Sequence, residues 1–93
     1  MSIFFQDVGI KIAVETNFSL SQATTVALLY RTPSGRNGQW NGDVINGTQI
    51  LYTTQPGDLN EVGLWTIQPL VITPTESLRG EPRQLKVSQS IQP

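Results

Sequence analysis

The chain has 93 residues, enough for one small domain and no second one. It holds no cysteine and no histidine, which excludes a disulfide framework, thiolate metal ligation, the commonest general base and the usual near-neutral proton switch. A net charge of −1 with six cations, scattered except for a loose cluster near the C-terminus, leaves none of the concentrated basic stripe that nucleic-acid binding needs.

The N-terminal stretch MSIFFQDVG has no basic opening, and its apolar run is three residues long. That is too short for a signal peptide or a membrane span, so the expectation is a chain that acts where it is made or leaves the cell by a route other than secretion. Phe4 and Phe5 are adjacent. On an extended chain they face opposite ways, so at most one is buried in its own domain and the other marks a partner contact.

Period-two alternation then dominates. Ile10, Ile12 and Val14 alternate with Lys11, Ala13 and Glu15, giving a strand with one branched apolar face. TTVALLYR, 24 to 31, predicts a second strand with Val26, Leu28 and Tyr30 on one face and Ala27 and Leu29 on the other. A turn follows at TPSGRNG, where Pro33 presets φ and Gly35 permits a positive φ. Trp40 lies on the third strand.

Asn-Gly pairs at 37/38, 41/42 and 46/47 predict a turn-crowded region from 34 to 48. TQILYTT (48 to 54), GLWTIQPLVIT (63 to 73) and RQLKVSQ (83 to 89) read as further strands. Pro69 removes a ladder donor from the long one and predicts a bulge or an edge position. Arg79, Glu81 and Arg83, at alternate positions, predict a solvated ladder of charges on one strand face, or a face that keys an interface. No amphipathic helix is apparent. The last six residues, SQSIQP (88–93), lack periodicity and read as a loose tail or an arm that orders against a neighbour, in which Ile91 is a further candidate partner contact. The whole chain, 1–93, is expected to be a single all-β domain, a sandwich of about seven antiparallel strands.

The stretch QPGDLNEVGLW, 55 to 65, brings Asp58 and Glu61 together beside Trp65. D-x-x-E is capping-box spacing. It predicts one helical turn in which Asp58 accepts from the Glu61 N–H, Glu61 reaches back to the Asp58 N–H, and Leu59 points inward. Gly63 then releases the chain into the long strand, with Trp65 and Ile67 facing the core. An acidic turn, a glycine and an inward aromatic in this order suit the corner where an immunoglobulin-like chain crosses between its sheets. With no histidine, metal set or oxyanion device, nothing raises one carboxyl pKa above the other, so the group reads as a structural corner and not a catalytic dyad.

Trp40 has two readings. It fills the core between the sheets, or it is a stacking platform for a sugar, flanked by Asn-Gly loops. Asp7, Asp43 and Asp58 lack the spacing of a calcium loop and read as turn residues. The Asn17 and Asn46 glycosylation patterns carry little weight without a secretory signal. No metal or cofactor is expected.

Taken in order, FFQDVG, LSQATTVALLYRTPSG, Trp40, ILYTTQPGDLNEVGLWTIQ and RGEPRQLKV make the chain resemble, over residues 4 to 87, the immunoglobulin-like β-sandwich structural proteins of tailed bacteriophage virions. It is similar in particular to the N-terminal module of baseplate upper proteins, which attaches the receptor-binding apparatus to the tail. The matching positions are Asp7 and Gly9, Pro33 and Gly35, Trp40, Gly57-Asp58-Leu59 with Gly63 and Trp65, and Gly80-Glu81. The turn-rich stretch from Asn41 to Thr48 departs from the plain hairpin of the family. The expectation is the isolated module, without the coiled-coil stalk or receptor-binding domain of a complete receptor binder. The resemblance implies a non-enzymatic adaptor of the tail, baseplate or fibre-attachment region, present in multiple copies in a symmetric particle and docked to other virion proteins, with neither nucleic acid nor membrane as partner. Capsid decoration is a close variant, and a carbohydrate-binding or adhesion module touching the bacterial surface through Trp40 is an alternative of another class.

Overall fold

A computed structural model describes residues 3–17 and 19–89. Among the described residues nine strands run in chain order: β1 Ile3–Phe4, β2 Lys11–Glu15, β3 Thr25–Arg31, β4 Asn37–Asn41, β5 Asp43–Ile45, β6 Gln49–Thr53, β7 Gly63–Ile72, β8 Ser77–Arg79 and β9 Arg83–Ser88. There is no helix among the described residues. One sheet has the order β1-β9-β7-β3-β4 with β8 also paired to β7, and the other has the order β2-β6-β5. Pairing is antiparallel except between β1 and β9, which run parallel. The sheets form a sandwich-like, two-layer arrangement.

Alternation builds the layer between them. Ile12 and Val14 from β2, Ile50 from β6, Val26 and Leu28 from β3, Trp40 from β4, Trp65, Ile67 and Val71 from β7, and Val87 from β9 form one buried cluster with Leu20 and Leu59. Apart from Leu20 and Leu59, which lie in loops, these are apolar residues at alternate strand positions, the pattern that places one face of a pleated strand against another layer. Ile10 lies just before β2 and is half-buried against the same cluster.

Several expectations change. Only one of the three Asn-Gly pairs makes a hairpin tip. Asn46 and Gly47, with φ of 52° and 74°, lie in the β5–β6 loop. Asn37 and Gly38 lie inside β4, where Gly38 sits opposite Tyr30 and a Cβ would come 2.3 Å from the phenol ring. Gly42 carries the chain from the large sheet to the small one. Its N–H donates to the Val26 carbonyl (3.2 Å), and a Cβ there would come 2.7 Å from both Ile50 Cγ2 and the Leu51 carbonyl oxygen. The expected run of turns therefore contains two strands, β4 and β5, with β5 covering positions read from sequence as loop.

Pro69 is not on an outer edge; it is buried in the central strand β7, in register with Leu28, and on its other side residues 68–69 face three residues, 80–82, a one-residue irregularity like the expected bulge. The Gly80 N–H donates to its carbonyl at 3.1 Å. Its backbone thus faces the interruption between β8 and β9, where no strand requires the missing donor. That interruption, residues 80–82, contains Glu81 and separates Arg79 on β8 from Arg83 on β9, so the three do not form a ladder on one strand.

Candidate functional site

The fold gathers three segments at one end of the sandwich. The N-terminal loop after β1 is closed by Asp7, whose Oδ2 accepts from the Phe4 N–H (3.0 Å) while its own N–H donates to the Phe4 carbonyl (3.1 Å). Gln6 in this loop has a φ of 69° and donates its N–H to the Leu59 carbonyl (2.9 Å). The Phe5 N–H donates to the Ser88 carbonyl at the end of β9 (2.8 Å). Thr54, fully buried, joins loop to corner: its carbonyl accepts from the Gly9 N–H, its hydroxyl from the Ile10 N–H, and its N–H donates to the Ile10 carbonyl, at 2.9, 3.0 and 2.9 Å.

The corner between β6 and β7 is not the capping box that D-x-x-E spacing predicts; no helical turn forms. Asp58 instead closes the turn Gln55-Pro56-Gly57-Asp58. Its N–H donates to the Gln55 carbonyl (3.1 Å), and its Oδ2 accepts from the Gln55 N–H (2.7 Å) and the Tyr52 hydroxyl (2.5 Å). Gly57 supplies the positive φ, 87°, at the third position, the conformation of a type II turn, in which proline commonly stands second. The Pro56-Gly57 dipeptide was the legible signal for this turn. Burial first, and then the Asp58 carboxylate as acceptor and negative charge, push the Tyr52 phenol above its ordinary value, so it stays a neutral donor.

Glu61 turns the other way, to a loop 27 residues upstream. Its oxygens accept from the Ser34 N–H (3.1 Å) and the Ser34 hydroxyl (2.9 Å), with Arg36 at 3.6 Å. Partial burial opposes ionisation of this carboxyl, yet the hydroxyls of Thr32 and Ser34, the Ser34 N–H and the Arg36 charge hold it below the usual carboxylate value. Gly63, with a φ of 133°, packs under the same loop, where a Cβ would come 2.8 Å from Pro33. Asp58 and Glu61 therefore point to different partners and form no paired acid and base.

Trp65 is fully buried, and its indole N–H donates to the Glu61 carbonyl four residues upstream (3.0 Å). Leu59 is fully buried beside it in the same cluster. Around Trp65 stand three more rings: Tyr30 at 5.5 Å and Trp40 at 5.8 Å from its centroid, and Tyr52 stacked on Trp40 at 4.9 Å with planes 6° apart. Trp40 is only 5% exposed and also lies 4.6 Å from Tyr30. The sugar-platform reading of Trp40 is thereby corrected, because its ring is occupied by Tyr52 and closed off from solvent.

Of the expected partner contacts, Phe5 is half-buried against the core and Phe4 is 39% exposed. Ile91 lies outside the described residues. Sequence reasoning missed three apolar side chains at this end: Val8 (54% exposed) in the N-terminal loop, Val62 (43%) in the corner and Leu64 (54%) on the outward face of β7. With Phe4 they make four of the five large apolar side chains exposed among the described residues. Phe4 pairs with Ser88 and Leu64 with Lys86, so the two flank β9 within two positions of each other. The alternation that faces Trp65 inward carries the signal for Leu64, since its immediate neighbour on a strand must face out.

No described helix is long and apolar enough to cross a membrane. Comparison with known protein families, with curated proteins and with solved structures finds no match in any of the three.

Proposed function

We propose that this chain is a non-enzymatic structural protein of a tailed-phage virion, an adaptor of the tail, baseplate or fibre-attachment region that works by docking to other virion proteins. The observation that carries a docking role is the concentration of exposed apolar groups, Phe4, Val8, Val62 and Leu64, on segments that converge at one end. Side chains of this kind gain about 25 cal/mol for each Å² of apolar surface removed from water, which only a partner can supply once the core is closed. Hydrogen bonds through Asp7, Thr54 and Asp58 hold the loops that present them, so little ordering cost remains at binding.

The immunoglobulin-like part of the reading is supported by strand order. Lettered as in a variable-type domain, β2-β6-β5 correspond to B-E-D and β9-β7-β3-β4 to G-F-C-C′. Trp65, bonded back to Glu61 at the entry to β7, takes the part of the tyrosine corner. The phage assignment rests on the ordered motifs of the sequence. Many copies around a symmetric particle let modest individual contacts act together.

Replacing the apolar end tests this. The double variant Phe4→Ser, Leu64→Lys is expected to keep the parent's circular dichroism and melting temperature, because both side chains are exposed, and to be lost from assembled particles. Wild-type levels of incorporation would refute docking through this end. Incorporation into heads separated from tails would move the protein to capsid decoration.

A further inference from the structure

The three Asn-Gly pairs have the same local chemistry and different surroundings. In any such pair the backbone nitrogen of the glycine can attack the asparagine side-chain carbonyl carbon. The nitrogen gives its proton to solvent, a C–N bond forms, ammonia leaves, and the resulting succinimide is opened by water to aspartate or its β-linked isomer. The atoms balance with water as the only co-reactant. The rate depends on whether the glycine N–H is free and whether the peptide can rotate into the ring.

At Gly42 the N–H is engaged, donating to the Val26 carbonyl at 3.2 Å, and the residue is wedged against Ile50 and Leu51. Gly38 has the same constraint. It is the register partner of Tyr30, two steps along the β3–β4 ladder from the Gly42–Val26 bond, which puts its N–H in the same inward-bonded set. The Tyr30 ring covers its α-carbon. Gly47 differs on each count. It is outside any strand, its N–H has no hydrogen-bond partner among the described residues, and nothing lies within 4 Å of where a Cβ would stand. The Asn46 carboxamide is exposed and, among the described residues, held only by a donation to Gln49 Oε1 at 3.2 Å.

We propose that Asn46 is a site of spontaneous deamidation in the folded protein, and that the fold protects Asn37 and Asn41. The added carboxylate stands beside Gln49, the register partner of Glu15, so it raises local negative charge on the small sheet. The β-linked product also lengthens the hairpin backbone at a point anchored by donation of the Leu20 N–H to the Gly47 carbonyl (2.9 Å).

The test uses the wild-type chain and needs no variant. Folded protein is held in mildly alkaline buffer and sampled over days, and peptide mapping by mass spectrometry follows amide-to-acid conversion at each asparagine; a parallel sample is kept in urea. Because a ladder hydrogen bond slows exposure of the nitrogen by about a factor of ten, Asn46 is expected to convert about tenfold or more faster than Asn37 and Asn41 when folded. In urea the three rates converge. Conversion at Asn37 or Asn41 that matches Asn46 in the folded sample, or an Asn46 rate in the folded sample no higher than theirs, overturns the proposal. So does the same tenfold preference persisting in urea, which would assign it to local sequence and not to the fold.

Discussion

Trp65→Ala removes the side chain on which the corner closes. The indole is fully buried, in contact with the rings of Tyr30 and Trp40, and its N–H satisfies the Glu61 carbonyl. Truncating a buried tryptophan costs about 3 to 5 kcal/mol, from lost transfer energy and the cavity left behind. A chain of 93 residues is held by only about 5 to 14 kcal/mol in total. The variant is therefore expected to melt roughly 12 to 40 °C below the parent and to unfold at much lower urea. Trp65→Phe keeps an aromatic ring and removes the donor, for a smaller cost of about 1 to 2 kcal/mol. Urea titration followed by far-ultraviolet circular dichroism reads both without depending on tryptophan fluorescence. If Trp65→Ala costs under about 1 kcal/mol, the ring does not close the corner and the packing argument fails.

Other substitutions probe the same architecture. Asp58→Ala removes one acceptor from both the Gln55 N–H and the Tyr52 hydroxyl, and should cost about 1.5 to 3 kcal/mol of unfolding free energy by urea titration, with Tyr52→Phe non-additive in a double-mutant cycle; strict additivity would show that the two groups do not interact. Gly38→Ala drives a methyl into the Tyr30 ring and should cost about 1 to 3 kcal/mol by the same titration, whereas an unchanged midpoint would mean the ring moves aside. Glu61 has a folded pKa below its ordinary value of 4.5, so the unfolded chain binds more protons in that range and stability falls as pH drops below 4.5 through the folded pKa. Glu15, whose carboxylate is stabilised chiefly by the Asn17 N–H, contributes with the same sign. Melting temperatures of Glu61→Gln and parent should therefore differ most above pH 4.5 and converge in acid, and a gap that stays constant would contradict the assignment.

The layered fold was legible because alternation is a local signal with a global cause. Val26, Leu28 and Tyr30 face one way in the sequence and the same way in β3. What escaped was set by contacts far apart along the chain. Asn37-Gly38 carries a turn's composition, but glycine is there to admit the Tyr30 ring, and no linear pattern announces that need. Asp58 and Glu61 have capping spacing, yet Glu61 answers to Ser34 across 27 residues, and Asp58 to a tyrosine whose hydroxyl would otherwise be stranded beside the core. Pro69 looked like an edge marker because the break at 80–82, which accommodates it, depends on how β8 and β9 share one neighbour. The corner's inward residues Leu59 and Trp65 were readable, while the exposed end was only partly so: Phe4 was singled out, whereas Val8, Val62 and Leu64 attract notice only once the segments bearing them are brought together.

The claim on which the functional account depends is that the chain is a component of an assembled particle. Quantitative mass spectrometry of particles purified by density gradient tests it most directly, with tail tubes and heads analysed separately. The account predicts the chain in the tail fraction, in several copies for each particle and in fixed ratio to a tail protein. Its absence from particles, with all of the chain in the soluble lysate, would contradict it.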